Sequence, residues 1–232
     1  MYGLPRAGAR PILNKGQNAC LMNASGQHTA PYWNEARQAL SGADPVLAGL
    51  IRAAGASVLQ PRNDAFYSLS RSIVAQQISV HAAEAVWGRL VAAVGEITPR
   101  AVCNRTEEAL HECGLSRRKA FYLRNLAEHF RNGALGGNSW HRMDDEEVIG
   151  TLIEIKGIGR WTAEMFLIFH LLRPDVLPVT DVGIQKAIAR HYNAGERLTP
   201  DELTALAEPW RPWRSVASWY LWRSLDETPV EY

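Results

Sequence analysis

The apolar residues of this 232-residue chain recur three and four positions apart, and no stretch alternates apolar and polar residues for long enough to require a sheet. Such spacing places apolar side chains on one face of a helix. From residue 32 onward, Gly and Pro residues separate successive segments of this kind. The pattern predicts an all-α fold, with helices over 44–54, 66–94, 99–113, 116–130, 144–155 and 161–172, and another that includes 188–191.

Local end signals support several of these boundaries. Thr106 and Ser116 are expected to cap helices, because a hydroxyl accepts a hydrogen bond from the first-turn N–H groups. Gly114 and Gly133 are expected to end helices in the left-handed conformation. Residues 1–30 show no periodicity, so we expect a loose N-terminal arm there.

Charge and cysteine content exclude some classes of protein. Lys and Arg number 25 against 24 Asp and Glu, which excludes a globally basic nucleic-acid coat protein but not a local basic face. Three cysteines do not fit a disulfide framework, a zinc site or a four-cysteine cluster. The longest apolar stretch, 165–172, is less than half of the roughly 20 residues that span a bilayer. We therefore expect a soluble, cytoplasmic protein without a catalytic metal or a membrane partner.

One stretch carries the most chemical information: an apolar helix, the turn Gly157-Ile158-Gly159 and an immediate second helix. Glycines allow positive φ and the close approach of another backbone. The free N–H groups at the start of the second helix are a favourable site for a phosphate. Ile158 is expected to point inward, and the small pair Thr162-Ala163 lets the two helices pack closely. An ordinary helix corner with a glycine cap is the alternative.

Asp181 follows the apolar connector 176–180 and precedes a helix. On position alone it is a helix N-cap. A carboxylate near the apolar Val179, Val182 and Trp161 also suits a catalytic group in a partly desolvated site. Both interpretations stay open on the residues alone.

Four motifs in order resemble the helix-hairpin-helix DNA glycosylases, and among them 3-methyladenine DNA glycosylase II. The hairpin 156–159 is followed about 20 residues later by Asp181, where that family has its catalytic aspartate. The other motifs are 74–79 (VAQQIS), 114–120 (GLSRRKA) and the tryptophan-rich 208–222. The resemblance implies a helix-hairpin-helix glycosylase domain over 31–232, in the compact form. It also implies two helical lobes, a hairpin at about 149–172 and a lesion pocket in the cleft between the lobes.

The resemblance further implies a DNA glycosylase that flips N3- or N7-alkylated purines out of duplex DNA and excises them in base excision repair. Asp181 is the implied catalytic residue. The implied base pocket consists of Trp161, Trp222, Gln76 and Met165. The implied intercalating wedge is Gln77 or Ile78. The implied phosphate contacts are Gly157, Ile158, Gly159, Thr162, Arg117, Arg118 and Lys119, although a charged cluster such as 117–119 is more often only solvated.

Position 161 separates the subclasses of this superfamily. Bifunctional members carry a Lys directly after the Gly-x-Gly-Arg of the hairpin, and this chain has Trp161 there. The chain also has no Cys after position 113 to form the cluster of the endonuclease-type branch. We expect a monofunctional enzyme without lyase activity or cofactor, apart from a monovalent cation at the hairpin. Thr180 stands where the bacterial prototype has a second Asp.

Two further functions compete with this one. A non-catalytic helix-hairpin-helix module would explain the hairpin, but not Asp181 or the tryptophan-rich segment. A glycosylase for oxidised or mismatched bases would favour Lys at position 161 or an iron–sulfur cluster, and the sequence leaves deaminated purines open as a substrate. The expected partner is duplex DNA with alkylated bases, bound by a monomer that is associated with the nucleoid in a bacterium.

Overall fold

The computed structural model describes residues 21–22, 28–59, 64–133 and 138–225. Within these ranges twelve α-helices carry the fold, so the all-α prediction is confirmed. The described strands, β1 (Leu21–Met22) and β2 (His28–Thr29), are two residues long and pair antiparallel. They lie in the predicted arm, where strands so short leave no alternating pattern to detect. The rest of that arm, apart from residue 30, lies outside the described residues.

The helices form two lobes. The terminal lobe contains α1 (Trp33–Ala43), α2 (Pro45–Ala54), α10 (Val182–Tyr192), α11 (Pro200–Leu206), a 3₁₀ helix (Glu208–Trp210) and α12 (Arg214–Arg223). The central lobe contains α3 (Ala65–Ala75), α4 (Val80–Val94), α5 (Pro99–Cys103), α6 (Glu107–Glu112), α7 (Arg117–Arg131), a 3₁₀ helix (Asn138–Arg142), α8 (Asp145–Ile153) and α9 (Arg160–Phe169). Helix α12 packs on α1, α2 and α10, whereas α7 packs on α3, α5 and α6.

Two predicted helices are wrong in extent. The segment 66–94 divides into α3 and α4, because Gln77 has φ of 58° and a helix cannot continue through that conformation. Ser79 then caps α4 by accepting a hydrogen bond from the Ala82 amide. The segment 99–113 divides into α5 and α6, and Thr106 caps α6 as predicted. Neither break contains Gly or Pro, so periodicity alone runs through both.

Other predicted boundaries agree with the structure. Ser116 caps α7, and Gly114 and Gly133 have positive φ after their helices. The second hairpin helix ends at Phe169 rather than 172, because Leu172 has φ of 51°. The connector 176–180 contains no strand. None of the helices in the described ranges has the length and apolarity that a bilayer crossing requires.

A buried carboxylate ties the ends of the terminal lobe together. Asp44 caps α2 by accepting hydrogen bonds from the Val46 and Leu47 amides. It also accepts hydrogen bonds from the Tyr192 hydroxyl at the end of α10 and from the Trp210 indole, both at 2.9 Å. Since a buried charge is tolerated only when it is hydrogen-bonded, these four donors explain why Asp44 can lie inside the protein. Its contacts hold α10 in place, and α10 begins at the candidate site.

Candidate functional site

The glycine turn joins α8 to α9 as the sequence predicts. Asp144 and Glu147 form a capping box at the start of α8. Gly157 has φ of 95°, which favours glycine, and the Ile158 side chain is buried as expected. Gly159 caps α9 without any side-chain hydrogen bond, so no cap side chain occupies the first-turn amides. An anion can therefore approach the start of this helix.

The two glycines of the turn have different surroundings. A Cβ atom on Gly157 would lie 2.3 Å from the ring of Tyr122, so only glycine lets the hairpin pack on α7. The Asn125 side chain on the same helix accepts a hydrogen bond from the Lys156 amide at 3.3 Å. A Cβ atom on Gly159 would meet nothing within 4 Å. The Gly157 side of the hairpin is packed, whereas the Gly159 side is open.

Asp181 is both the cap of a helix and the centre of a polar cluster. Its Oδ1 accepts hydrogen bonds from the Ile184 amide at 2.7 Å and from the Trp222 indole at 2.8 Å. Its Oδ2 accepts a hydrogen bond from the Trp161 indole at 2.7 Å. The side chain is buried, with 8% of the residue exposed. Three N–H donors thus fix the orientation of both carboxylate oxygens.

The donors to Asp181 come from both lobes. Trp161 belongs to the first turn of α9 in the central lobe, whereas Trp222 belongs to α12 in the terminal lobe. The Trp222 ring stacks on Phe169, with 5.6 Å between the ring centroids. Trp161 is half-buried, and Met165, one turn further along α9, is buried. The structure therefore brings Asp181, Trp161 and Trp222 together where the lobes meet.

The start of α12 holds the connector that leads to Asp181. The Arg214 guanidinium forms an ion pair with Asp175, and its Nε lies 2.6 Å from Oδ1. The Ser215 amide donates to the Pro174 carbonyl, and the Ser215 hydroxyl accepts from the Val176 amide. The polar residues of the tryptophan-rich motif thus anchor 174–176, while Trp222 of the same helix contacts Asp181. Three other tryptophans of this motif, Trp210, Trp213 and Trp219, are buried in the core.

The loop between α3 and α4, residues 76–79, contains the predicted wedge. Gln77 is exposed at positive φ, and Ile78 is exposed as well. A non-glycine residue in this conformation stores backbone strain, which is frequent at functional sites. The Gln76 side-chain amide donates a hydrogen bond to the Gly157 carbonyl at 2.9 Å. The structure therefore places Gln76 against the hairpin.

The predicted phosphate contacts differ in exposure. Arg117 and Arg118 are exposed in the first turn of α7. The Lys119 ammonium group instead donates a hydrogen bond to the Val74 carbonyl at 2.8 Å. The Thr162 side chain is buried, and the Ile158 amide donates to the Ile155 carbonyl at 3.0 Å. Lys119 and Ile158 therefore have partners within the protein.

Sequence reasoning missed Glu164, a buried carboxyl group on α9. Its Oε1 lies 3.2 Å from Nε of Arg160, which also pairs with Glu146, and its Oε2 has no hydrogen-bond partner among the described residues. Burial raises the pKa of Glu164; the charge of Arg160 partly offsets this increase, and the negative charges of Glu146 and Asp181 add to it. An acid in the Trp161–Phe169 segment is visible in the sequence, but its burial depends on tertiary packing.

Gly183 was also missed. A Cβ atom there would lie 3.0 Å from Oδ1 of Asp181 and 3.0 Å from Cδ1 of Trp222. The absence of a side chain at this position lets the indole reach the carboxylate. The Asp-Val-Gly spacing was the only sequence signal, and glycine in the first turn of a helix is too common to identify a site.

The glycine hairpin and the buried Asp181 about 20 residues later lie within the part of the chain that matches a family of DNA repair proteins. Residues 70–212 match the family described as HhH-GPD superfamily base excision DNA repair protein. The chain belongs to this superfamily.

The chain is similar to several named proteins and solved structures. The chain is 31% identical to the 3-methyladenine DNA glycosylase Mag1 of Schizosaccharomyces pombe in complex with abasic DNA, with a TM-score of 0.74 over 82% of this chain and 96% of that one. It is 37% identical to a DNA-3-methyladenine glycosidase structure from Bacillus halodurans, with a TM-score of 0.73 over 85% and 92%. A putative DNA-3-methyladenine glycosylase of Bacillus subtilis, YfjP, is 32% identical over 68% of this chain, and the match spans 58% of the length of that relative.

Proposed function

We propose that this protein is a monofunctional DNA glycosylase that excises N3- and N7-alkylated purines from duplex DNA in base excision repair. One observation carries the proposal: a buried carboxylate, Asp181, is held by indole N–H groups from both lobes, in the chain position where the superfamily has its reactive aspartate. The named relatives support the choice of alkylated purines as substrates.

Binding begins with the DNA backbone and a flipped nucleotide. A base inside a duplex is out of reach, so the enzyme extrudes the nucleotide at a cost of a few kcal/mol, which is lower where damage weakens pairing. The open amides around Gly159 bind a phosphate beside the lesion, and a monovalent cation can assist there. Gln77, already exposed on its strained loop, fills the gap in the base stack, with Ile78 beside it. Exposed Arg117 and Arg118 contact more distant phosphates.

The two indoles at the carboxylate also suit a cationic base. N3- and N7-alkylated purines carry a positive charge, and a cation over a tryptophan face gains roughly 0.5–2 kcal/mol. Because both indole N–H groups donate to Asp181, the orientation of each ring is fixed before the base arrives. Buried Met165 completes the wall of the pocket. Gln76 borders it from the loop.

Asp181 acts on the sugar. Its negative charge stabilises the oxocarbenium-like transition state, and the carboxylate orients the attacking water. The charged leaving base departs readily, so the enzyme needs no acid to protonate it and no cofactor. Trp161 stands where bifunctional relatives carry an amine, so the reaction stops at an abasic site. The polar contacts that fix Asp181 supply the preorganisation that this electrostatic role requires.

Base release from methylated duplex DNA tests the proposal. The wild-type protein should release free 3-methyladenine, leave the abasic strand uncut until alkali is added, and form no borohydride-trapped adduct. DNA binding without base release would contradict the proposal in favour of a non-catalytic module. Strand cleavage without alkali would contradict the monofunctional assignment.

A further inference from the structure

The ammonium group of Lys119 faces the protein rather than solvent. Lys119 follows the exposed Arg117 and Arg118 in the first turn of α7, yet its side chain is half-buried and its Nζ lies 2.8 Å from the Val74 carbonyl. Burial lowers the pKa of this ammonium group. Its position therefore differs from that of a solvated lysine waiting for a phosphate.

The Val74 carbonyl is one that the end of α3 leaves without a helical partner. The amide four residues later, that of Ile78, donates to the Ala75 carbonyl instead, because the chain leaves the helix at Gln76. Carbonyls at a helix C-terminus need such a partner, and a cation there also interacts favourably with the helix dipole. Lys119 thus stabilises the helix end from which the loop 76–79 departs.

The other fixed point of this loop is the hairpin. Gln76 donates its side-chain amide to the carbonyl of Gly157, the glycine whose Cα packs on the Tyr122 ring. Lys119, Tyr122 and Asn125 are spaced three residues apart on α7, so they lie along one face of that helix. That face contacts the end of α3 through Lys119 and the hairpin through the other two. Helix α7 therefore fixes the position of the loop 76–79 relative to the hairpin.

We propose that Lys119 is a positioning residue that fixes the wedge loop 76–79 against the hairpin and does not contact DNA. The charged group of Lys119 interacts with a backbone carbonyl of the protein, whereas the two exposed arginines, Arg117 and Arg118, contact the phosphates in this region. Because insertion of Gln77 requires the loop to be in place, loss of Lys119 impairs nucleotide flipping rather than DNA attachment. This inference rests on the proposed glycosylase function.

The salt dependence of binding separates a positioning lysine from a phosphate-binding one. Each phosphate contact adds about 0.9 to the slope of log affinity against log salt concentration. Lys119→Met should keep the wild-type slope on duplex DNA, whereas Arg118→Gln, as a reference, should make the slope shallower. Arg52→Met removes another exposed charge, at the end of α2, and should change neither the slope nor base release.

Two measurements then report whether the loop is correctly positioned. Lys119→Met should lower kcat for release of 3-methyladenine about tenfold or more, with a smaller change in KM. It should also abolish most of the fluorescence increase of a 2-aminopurine placed beside the lesion, which reports unstacking independently of hydrolysis. Gln76→Leu, which removes the other contact of the loop, should give the same pattern, and circular dichroism should show both variants folded.

A slope that falls by about 0.9 in Lys119→Met, or unchanged kcat and 2-aminopurine fluorescence, would overturn the proposal. If the wild type released no base, the proposed function would fail instead, while the slope and the fluorescence would still test the role of Lys119.

Discussion

Asp181 accepts hydrogen bonds from groups on three helices: α9, α10 and α12. From the sequence alone the residue was either a helix cap or a reactive carboxylate, and the structure shows that it caps α10. The same oxygen that accepts the Ile184 amide also accepts the Trp222 indole, so the cap rigidifies the group proposed to react. At the scale of single residues, we expect small shifts of the groups around this carboxylate to lower activity more than they lower the stability of the fold.

Gly183→Ala tests that expectation. The added methyl would lie 3.0 Å from Oδ1 of Asp181 and 3.0 Å from the Trp222 ring, so one of them must shift by a few tenths of an ångström. We expect kcat for base release to fall about tenfold or more, because small misplacements near reacting groups can cost up to about 100-fold. Steady-state kinetics with a denaturation curve would measure both effects. Gly88→Ala in α4, where a Cβ meets nothing within 4 Å, is the control and should keep full activity.

Glu164→Gln should change the pH dependence of stability. Since burial raises the pKa of Glu164 above its ordinary value of 4.5, the folded state binds the proton more tightly than the unfolded state. The contribution of Glu164 to stability is therefore present below pH 4.5 and is lost as the pH rises through the folded-state pKa. The variant should have the higher melting temperature at pH 7, and the difference should shrink as the pH falls towards 5. A constant difference across this range would contradict the assignment.

At the scale of elements, the hairpin and the wedge loop differ in how visible they are in sequence. The hairpin could be predicted because its signals are local: a glycine that allows positive φ, an inward Ile158 and an apolar helix on either side. The family resemblance pointed to Gln77 and Ile78, but the break in the helix there could not be predicted, because Gln77 takes its positive φ without a glycine and its supports, Lys119 and Gly157, are distant in sequence. The apolar spacing therefore predicted one uninterrupted helix across residues 76–79.

Alanine at the two hairpin glycines should separate folding from binding. Gly157→Ala requires φ of 95° from an alanine and a clash with Tyr122, so it should cost about 2 kcal/mol or more of unfolding free energy. Gly159→Ala has ordinary φ and open space, so stability should hardly change. Its methyl group would lie at the proposed phosphate site, so DNA affinity should fall. Urea denaturation and a binding titration of both variants check this; equal stability losses would contradict it.

At the scale of the whole molecule, hydrogen bonds connect residues that are far apart in sequence. The terminal lobe combines the first two helices with the last three, and Asp44 joins them through Tyr192 and Trp210. The all-α class and most helices follow from periodicity and caps. The pairing of Asp181 with Trp161 and Trp222 does not, because hydrogen bonds between helices that are distant in sequence leave no local pattern. The family resemblance pointed to those residues, and the structure shows the hydrogen bonds that connect them.

Asp44→Ala should weaken the terminal lobe. The change removes a helix cap and leaves the half-buried Tyr192 hydroxyl and the buried Trp210 N–H without partners, each at a cost of about 1–3 kcal/mol. We expect a loss of about 3–5 kcal/mol in unfolding free energy. Asp64→Ala removes the exposed cap of α3 and should cost only about 1 kcal/mol. Chemical denaturation of both variants measures the difference, and similar losses would show that the contacts of Asp44 contribute little.

The most direct test of the account is base release from methylated duplex DNA by Asp181→Asn. Asparagine retains an oxygen for the Ile184 amide and the Trp222 indole but loses the negative charge, and its amide cannot accept from Trp161. The account predicts a loss of at least about 100-fold in base release, with lesion binding largely retained. Asp201→Asn, which changes an exposed carboxylate in α11, should remain fully active. Near-normal base release by Asp181→Asn would contradict the account.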